Sequence, residues 1–389
     1  MSGSGNFGTV GTLLLALSAC QTPVGLHDGL PPESELLSGK AIFGEEVSSS
    51  ELPDLDILAT SDAMRAFVAD VRDVPNEAIR FHRLLDRMRA GGYVPSGYDP
   101  YVNLTAREAF AKKRGNCLSY TNLFIALARE TGLDARYQVV DVPPDYDSIN
   151  DMVVLIRHVN ARVEHIPGRG AVSVEFSGEY ASGIHDRRVV DDRFALGLHY
   201  NNLAFSGDRA ADDRAAFVYL RKAIEQAPEH PDFWTNLGVL YARGGHFEQA
   251  IASYRRALDR DSNHRGAIRG LANAYGALGQ AATAQFYQRR MAHSRTRDAY
   301  AYYTLARRAY LAEAPGESLE LVSRAIRLHR RDHRFHLLAG ELHDRLGDTV
   351  AANESFKRAG QVARSNASRA RHRLERYYPR ATVYSLHHL

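Results

Sequence analysis

One spacing constrains the second half of the chain more than any other feature. Between about residues 197 and 366, small or apolar side chains recur at steps of 34 residues. Because small residues at fixed positions let paired helices approach closely, the pattern predicts a stack of about five helix-turn-helix units. Four registers keep this step, and they are Leu203, Leu237, Leu271, Leu305 and Ala339; Ala204, Gly238, Ala272, Ala306 and Gly340; Ala216, Ala250, Ala284, Ser318 and Ala352; and Ala223, Ala257, Met291, Ala325 and Ala359.

The clearest copy of this unit resembles the tetratricopeptide repeat. It contains Trp234, Leu237, Gly238, Tyr241, Ala250, Tyr254 and Ala257, and Pro228 closes the copy before it. The resemblance implies an all-α solenoid over residues 197–366 whose concave surface binds a protein or peptide partner. Because the last apolar face of such a stack must be covered, we expect residues 367–389, a basic tail, to contribute a capping helix.

The first twenty residues have the form of an export signal. The apolar run Leu13–Leu17 is too short to cross a bilayer, and small residues precede Cys20. This segment resembles the lipobox of bacterial lipoproteins, although its first eleven residues lack Lys and Arg. The resemblance implies a cleaved signal peptide over residues 1–20 and a lipid on Cys20. With Gln21 next, it also implies attachment to the outer membrane facing the periplasm.

Two further segments lie between the signal and the repeats. Residues 21–58 are rich in Gly, Pro, Ser and acidic side chains, and we expect them to form a tether. Residues 59–192 contain helical patterns followed by strand patterns, so they predict an α+β domain. The expected helices begin near Ser61, Asn76, Thr105 and Asn116, and the expected strands are Ala135–Val142, Met152–Val163 and Ala171–Phe176.

Only two cysteines occur, and they point to different chemistries. If Cys20 carries lipid, Cys117 is a lone thiol in an oxidising compartment, which favours a reactive role over a packing role. Cys117 lies in the first predicted turn of a helix, directly after Gly115 and Asn116. The unpaired backbone amides there favour the thiolate and can donate to an oxyanion. Cys117 is therefore the predicted nucleophile, with a buried structural thiol as the alternative.

A nucleophilic cysteine usually has a histidine partner and a third group that orients the imidazole. His158 follows the apolar strand Met152–Ile156 and is the best candidate for the partner. Glu175 lies on the next predicted strand and has suitable chemistry, while Asn160 is a rival orienting group. Each could instead have a structural role, His158 as a satisfied sheet histidine and Glu175 as a solvent-facing carboxylate.

The cysteine region resembles the core of transglutaminase-like proteins of the papain-like cysteine fold. In that superfamily a helical cysteine is followed by a histidine and an aspartate on successive strands, which implies a catalytic role for Cys117, His158 and Glu175. Here Glu replaces the usual Asp. The activity implied is acyl transfer from an amide, either to water or to an amine. The resemblance is carried by Arg114–Ser119, Leu123–Phe124, Leu127–Arg129 and Gly132–Arg136.

Other classes of function receive less support. A net charge of +3 with dispersed Arg gives no indication of nucleic-acid binding. We expect no cofactor. We also expect no metal, because the repeat phase places the histidine cluster partly in a linker and partly on a solvated face. That cluster consists of His329, His333, His336 and His343. The alternative to an enzyme is a catalytically inactive scaffold whose repeats act in the cell envelope.

Overall fold

The structure is a computed structural model that describes residues 29–93, 99, 102–140, 146–149, 152–155, 158–176, 187–206, 212–295, 299–377 and 382–385. The predicted signal peptide, with Cys20, lies outside these residues, as does the start of the predicted tether. Within the described residues, no helix is both long enough and apolar enough to cross a membrane.

Among the residues that the structure describes, seven α-helices and one 3₁₀ turn precede the main sheet. Three of the predicted helix starts are capped by the side chains of Ser61, Asn76 and Thr105, the last in a complete capping box with Glu108. The α-helices are α1 (Glu33–Leu36), α2 (Lys40–Phe43), α3 (Asp62–Phe67), α4 (Ala69–Arg72), α5 (Glu77–Ala90), α6 (Ala106–Lys112) and α7 (Cys117–Glu130), and the 3₁₀ turn is Ser49–Glu51.

In the described ranges the sheet has five strands in the order β6-β1-β4-β5-β7, and a separate hairpin contains β2 and β3. Strands β1, β4, β5 and β6 pair antiparallel, whereas β7 pairs parallel to β5. Helix α7 packs against β4 and β1, with Thr121 bonded to the Val159 carbonyl. The strands are β1 (Ala135–Val140), β2 (Tyr146–Ile149), β3 (Met152–Leu155), β4 (His158–Ile166), β5 (Gly170–Glu175), β6 (Arg187–Val190) and β7 (Thr382–Ser385).

One strand prediction was wrong. The expected strand Met152–Val163 is divided between β3, which belongs to the hairpin, and β4, which belongs to the main sheet. Its apolar residues pair with two different partners, a distinction that hydrophobicity along one chain segment does not reveal. The division places His158 at the first residue of a main-sheet strand.

The repeats form five consecutive helix pairs, as the 34-residue spacing predicts. The aromatic ring of Tyr254 fills the space beside Gly238 and Gly270, where any Cβ would overlap it. The small residues of the repeat thus make room for packed aromatic rings. The helices are α8 (Asp192–Leu203), α9 (Asp213–Gln226), α10 (Pro231–Arg243), α11 (Phe247–Arg260), α12 (Arg265–Ala277), α13 (Ala281–Arg295), α14 (Ala299–Leu311), α15 (Pro315–Leu328), α16 (His333–Arg345) and α17 (Thr349–Tyr377).

The predicted tether differs from the structure over residues 29–58. This segment packs against the first repeats, and the side chain of Leu36 is completely buried. Tyr241 donates a hydrogen bond of 2.6 Å to the Leu36 carbonyl, and Arg256 lies 2.9 Å from Glu33. The apolar residues of this segment are spaced too irregularly for the sequence to predict a packed element, yet Leu36, Val47 and Ile57 are buried. We name residues 29–58 the strap.

The predicted capping tail also differs from expectation. Helix α17 runs from Thr349 to Tyr377, so residues 367–377 continue the last repeat helix instead of forming a helix of their own. Residues 382–385 then form β7, which pairs parallel to β5 and so returns this segment to the main sheet of the α+β domain. A short apolar stretch after a long helix gives no sequence signal for such a return.

Candidate active site

Cys117 is the first residue of α7, and the backbone before it is held in one geometry. The Asn116 side chain accepts a 2.9 Å hydrogen bond from the Ser119 N–H and caps the helix. The Ser119 hydroxyl accepts a 2.8 Å bond from the Leu104 N–H, which ties a neighbouring loop to the same turn. Gly115 has φ of +150°, and a Cβ there would overlap the side chain of Ser119. These contacts fix the direction of the Cys117 side chain.

Cys117 and His158 lie close enough for the cysteine side chain to raise the pKa of the imidazole. Both groups are almost fully buried, at 5 % and 3 % exposure. Burial alone would lower the pKa of His158, but hydrogen bonds to Cys117 and Glu175, together with their charges, raise this pKa to about 10. The imidazolium is therefore the favoured form at neutral pH, as it is in a thiolate–imidazolium pair.

Glu175 ends β5 with its carboxylate inside the protein. Its Oε1 lies 2.7 Å from His158 Nε2 and also accepts a 2.9 Å bond from the Phe176 N–H. Its Oε2 accepts a 3.0 Å bond from the Asn160 amide. The structure thus brings Cys117, His158 and Glu175 together, with a hydrogen bond between the last two.

Asn160 has a different role from the one predicted. As a rival to Glu175 it was expected to orient His158, but it instead binds the second oxygen of the Glu175 carboxylate. Strands β4 and β5 pair antiparallel with Ala161 opposite Val174, so Asn160 and Glu175 lie side by side one position further along. Asn160 therefore fixes the rotation of the carboxylate that contacts His158. Both groups are completely buried, so water does not compete for these bonds.

Sequence reasoning missed two groups near this site. The first is Ser119, whose anchoring hydrogen bonds depend on a loop that precedes it by fifteen residues. The second is Arg187 on β6, which is close enough to Glu175 for the carboxylate to influence its pKa. The register of β6 against β1 brings Arg187 there, and no local motif in the sequence marks it.

No metal centre accompanies the site in the described part of the chain, where no three His, Cys, Asp or Glu side chains come together as possible ligands. Of the histidines considered as a cluster, His336 instead contacts the Arg330 carbonyl through Nε2 at 3.1 Å. His329 packs edge-on against Phe335 at a ring separation of 6.5 Å. These two side chains thus engage separate neighbours.

Together, the helix-borne cysteine, the adjoining antiparallel sheet and the helix pairs define a papain-like cysteine domain followed by a helical repeat array. Family comparison assigns both parts. Residues 65–169 match the transglutaminase-like superfamily, and residues 213–265 match the tetratricopeptide repeat. The chain thus contains a transglutaminase-like domain followed by tetratricopeptide repeats.

Solved structures similar to part of this chain include two bacterial proteins. MamA from Desulfovibrio magneticus RS-1, residues 41 to the end, is 21% identical with a TM-score of 0.25, and the match covers 45% of this chain and 97% of that one. Pseudomonas aeruginosa pilF is 19% identical with a TM-score of 0.26, and the match covers 48% and 94%. Such low TM-scores support no functional conclusion.

Proposed function

We propose that the protein is a cysteine-dependent acyl-transfer enzyme that attacks amides through Cys117. The observation that carries the proposal is the buried group of Cys117, His158 and Glu175, in which Glu175 contacts His158 Nε2 and Cys117 lies close enough to act on the imidazole. A thiol at a helix start, paired with an oriented imidazole, is the arrangement that nucleophilic acyl transfer requires. The raised pKa of His158 supports it, because an imidazolium is ready to protonate a leaving group.

The reaction proceeds in two steps. The Cys117 thiolate attacks the amide carbon, the new S–C bond forms, and the imidazolium gives its proton to the departing amine as the C–N bond breaks. Water then attacks the thioester carbon, His158 accepts a proton from that water, and the C–S bond breaks. The acid leaves, and the Cys117 thiolate and the His158 imidazolium are restored. We favour hydrolysis over transamidation because water needs no second binding site. An amine in place of water would give a new amide.

The oxyanion of each step needs donors beside the sulfur. The first backbone N–H groups of a helix have no intrahelical acceptor, and those of Cys117 and Leu118 start α7. The Ser119 N–H is already bound by the Asn116 side chain. We therefore assign the oxyanion to the Cys117 N–H, aided by the positive end of the helix dipole.

We further propose that the repeats bring a protein substrate or partner to the cysteine domain, and that a lipid on Cys20 holds the enzyme on the outer membrane facing the periplasm. Repeat arrays of this type present an extended surface suited to peptide segments. Replacing Cys20 by Ala should release the protein from membranes on fractionation. A variant that fractionates like the wild type would contradict the lipid anchor without affecting the proposed chemistry.

The enzymatic proposal is tested by its products. Envelope proteins incubated with the wild-type protein should gain new amino termini, release ammonia or gain amine labels, and Cys117→Ala should produce none of these. Cys117→Ser keeps the size of the side chain and is the matched control for folding. Equal product levels from all three proteins would contradict catalysis. If a strain with Cys117→Ala grows like the wild type and a strain lacking residues 197–366 does not, the scaffold is favoured instead.

A further inference from the structure

The strand pairing places an arginine in the same row as the imidazole. On β1, Val140 pairs with His158 of β4 on one side and with Arg187 of β6 on the other. Residues directly opposite one another on neighbouring strands project from the same face of a sheet. Two strand spacings of about 4.8 Å separate the backbones of Arg187 and His158. The long side chain of Arg187 thus belongs to the face that carries the site.

Among the described residues, none is a hydrogen-bonded or ion-pair partner of Arg187. Its guanidinium is partly buried, and its buried Nε makes no hydrogen bond. Other arginines of the sheet differ in this respect. Their neighbours are Glu164 at 2.6 Å for Arg162, Asp134 at 3.0 Å for Arg136, and the Phe194 ring at 5.1 Å for Arg188.

The nearby carboxylate does not satisfy Arg187. Glu175 interacts with Arg187 through its charge, and the hydrogen bonds known for its two oxygens come from His158, Asn160 and the Phe176 N–H, none from Arg187. Burial lowers the pKa of Arg187, and the Glu175 charge only partly offsets this effect. A partly desolvated cation without a hydrogen-bonded anion is costly to keep. The Oδ1 of Asn160 is a second buried polar atom here without a partner.

We infer that Arg187 binds a carboxylate of the acyl donor, so that the substrate of Cys117 is an acidic amide with its carboxylate a few bonds from the reacting carbonyl. A guanidinium offers two parallel N–H groups in the geometry of a carboxylate, and the pairing is stronger where water is excluded. Arg187 is then a specificity residue. This inference rests on the proposed function, because the donor must first reach Cys117.

The test uses two alkylating reagents that differ only in charge. Iodoacetylglycine has a carboxylate a few bonds from its reactive carbon, and iodoacetylglycinamide has a neutral amide in the same place. The rates at which both label Cys117 are measured by peptide mass spectrometry in the wild type, Arg187→Met and Arg188→Met. Arg188 is the matched control, because it is adjacent in sequence and faces the Phe194 ring.

We expect the wild type and Arg188→Met to prefer the anionic reagent, and Arg187→Met to lose roughly tenfold of that preference, as expected for one charge-assisted hydrogen-bonded pair. Labelling by the neutral reagent should not change. A ratio of the two rates that is the same in Arg187→Met and the wild type would overturn the inference. So would a parallel fall of both rates, because that pattern means that Arg187 acts only through Glu175.

The outcomes separate this inference from the proposed function. If the neutral reagent labels the wild type at neutral pH and the ratio is insensitive to Arg187, the specificity inference fails and the nucleophile stands. If neither reagent labels Cys117 at neutral pH, the proposed function fails and the inference fails with it. Arg187→Gln, which is neutral and polar, repeats the measurement if Arg187→Met does not fold.

Discussion

At the scale of single residues, the replacement of Asp by Glu in the third position has a physical explanation. Glu175 ends its strand, and its longer side chain spans the gap to His158 while its second oxygen reaches Asn160. The longer side chain thus lets the carboxylate contact both His158 and Asn160 of β4. Three hydrogen bonds hold the buried carboxylate in one orientation.

The length of Glu175 leads to a first prediction. Glu175→Asp should slow the labelling of Cys117 at neutral pH by roughly tenfold or more, because a shorter carboxylate loses its charge-assisted bond to His158. The rate of labelling by iodoacetamide measures this effect. Asn160→Ala should give a smaller decrease, since it frees the carboxylate without removing it. A labelling rate that Glu175→Asp leaves unchanged would mean that Glu175 does not orient His158.

A second prediction concerns the glycine before the helix. Gly115→Ala should destabilise the protein by about 1–3 kcal/mol, because the new Cβ overlaps Ser119 in a packed turn with positive φ. Urea unfolding measures this cost. Gly168→Ala is the control, because Gly168 also has positive φ but has open space around it. Equal costs at both positions would exclude the overlap as the cause.

The three residues Cys117, His158 and Glu175 could be predicted from sequence, whereas the roles of Asn160 and Arg187 could not, because they depend on strand pairing. Cys117 follows a local helix-start pattern, and His158 and Glu175 follow strand patterns that sequence periodicity detects. The role of Asn160 depends on the pairing of β4 with β5, which brings His158 and Asn160 to the two oxygens of Glu175. The position of Arg187 depends on pairing across three strands. Neither relation is encoded within a short stretch of chain.

At the scale of helices and strands, the caps were the most predictable features. Thr105, Glu108 and Asn116 satisfy backbone N–H groups through local contacts, so their pattern predicts helix starts wherever the helix lies in the fold. The boundary between β3 and β4 was not predictable, because it reflects a change of sheet partner within one apolar stretch. Local signals thus fix where helices start more reliably than which strands pair.

Helix α8 leads to a third prediction, which concerns pH. His199 on this helix is buried, and burial lowers its pKa from 6.5 to about 4, with Glu108 opposing the shift. Between pH 6.5 and about 4, His199 is therefore protonated in the unfolded chain but not in the folded chain. The contribution of His199 to stability is complete above pH 6.5 and falls as the pH decreases toward 4, by about 3 kcal/mol in total.

The comparison of variants isolates this effect from that of the acidic side chains. His199→Gln should flatten the fall in unfolding free energy between pH 6.5 and 4, as measured by urea unfolding at several pH values. His329→Gln, which changes an exposed histidine, should follow the wild type. If His199→Gln and the wild type lose stability in parallel, His199 is not the group responsible.

At the scale of the whole molecule, the cysteine domain and the first repeats are one packed body. Among the described residues, a single apolar core extends from Leu36 through α7 and the sheet to Tyr287. A second core, between Ala299 and Leu342, serves the last two repeats. The strap adds Leu36 and Val47 to the first core. The repeat spacing predicts the solenoid, but it does not predict this shared core.

The strap gives a fourth prediction. Leu36→Ala should reduce the free energy of unfolding by about 2–5 kcal/mol, the usual cost of a cavity at a fully buried leucine. Leu37→Ala, at a partly buried neighbour, should cost less. Limited proteolysis within residues 29–58 should be slow in the wild type and faster in Leu36→Ala. Equally rapid cleavage of both proteins would identify a free tether instead of a packed strap.

The rate at which Cys117 is alkylated at neutral pH tests the central claim most directly. Iodoacetamide should label Cys117 in the wild type roughly tenfold faster than in His158→Ala, because the variant lacks the imidazolium that stabilises the thiolate. Peptide mass spectrometry measures both rates. Equal labelling rates in the wild type and His158→Ala would contradict the nucleophile.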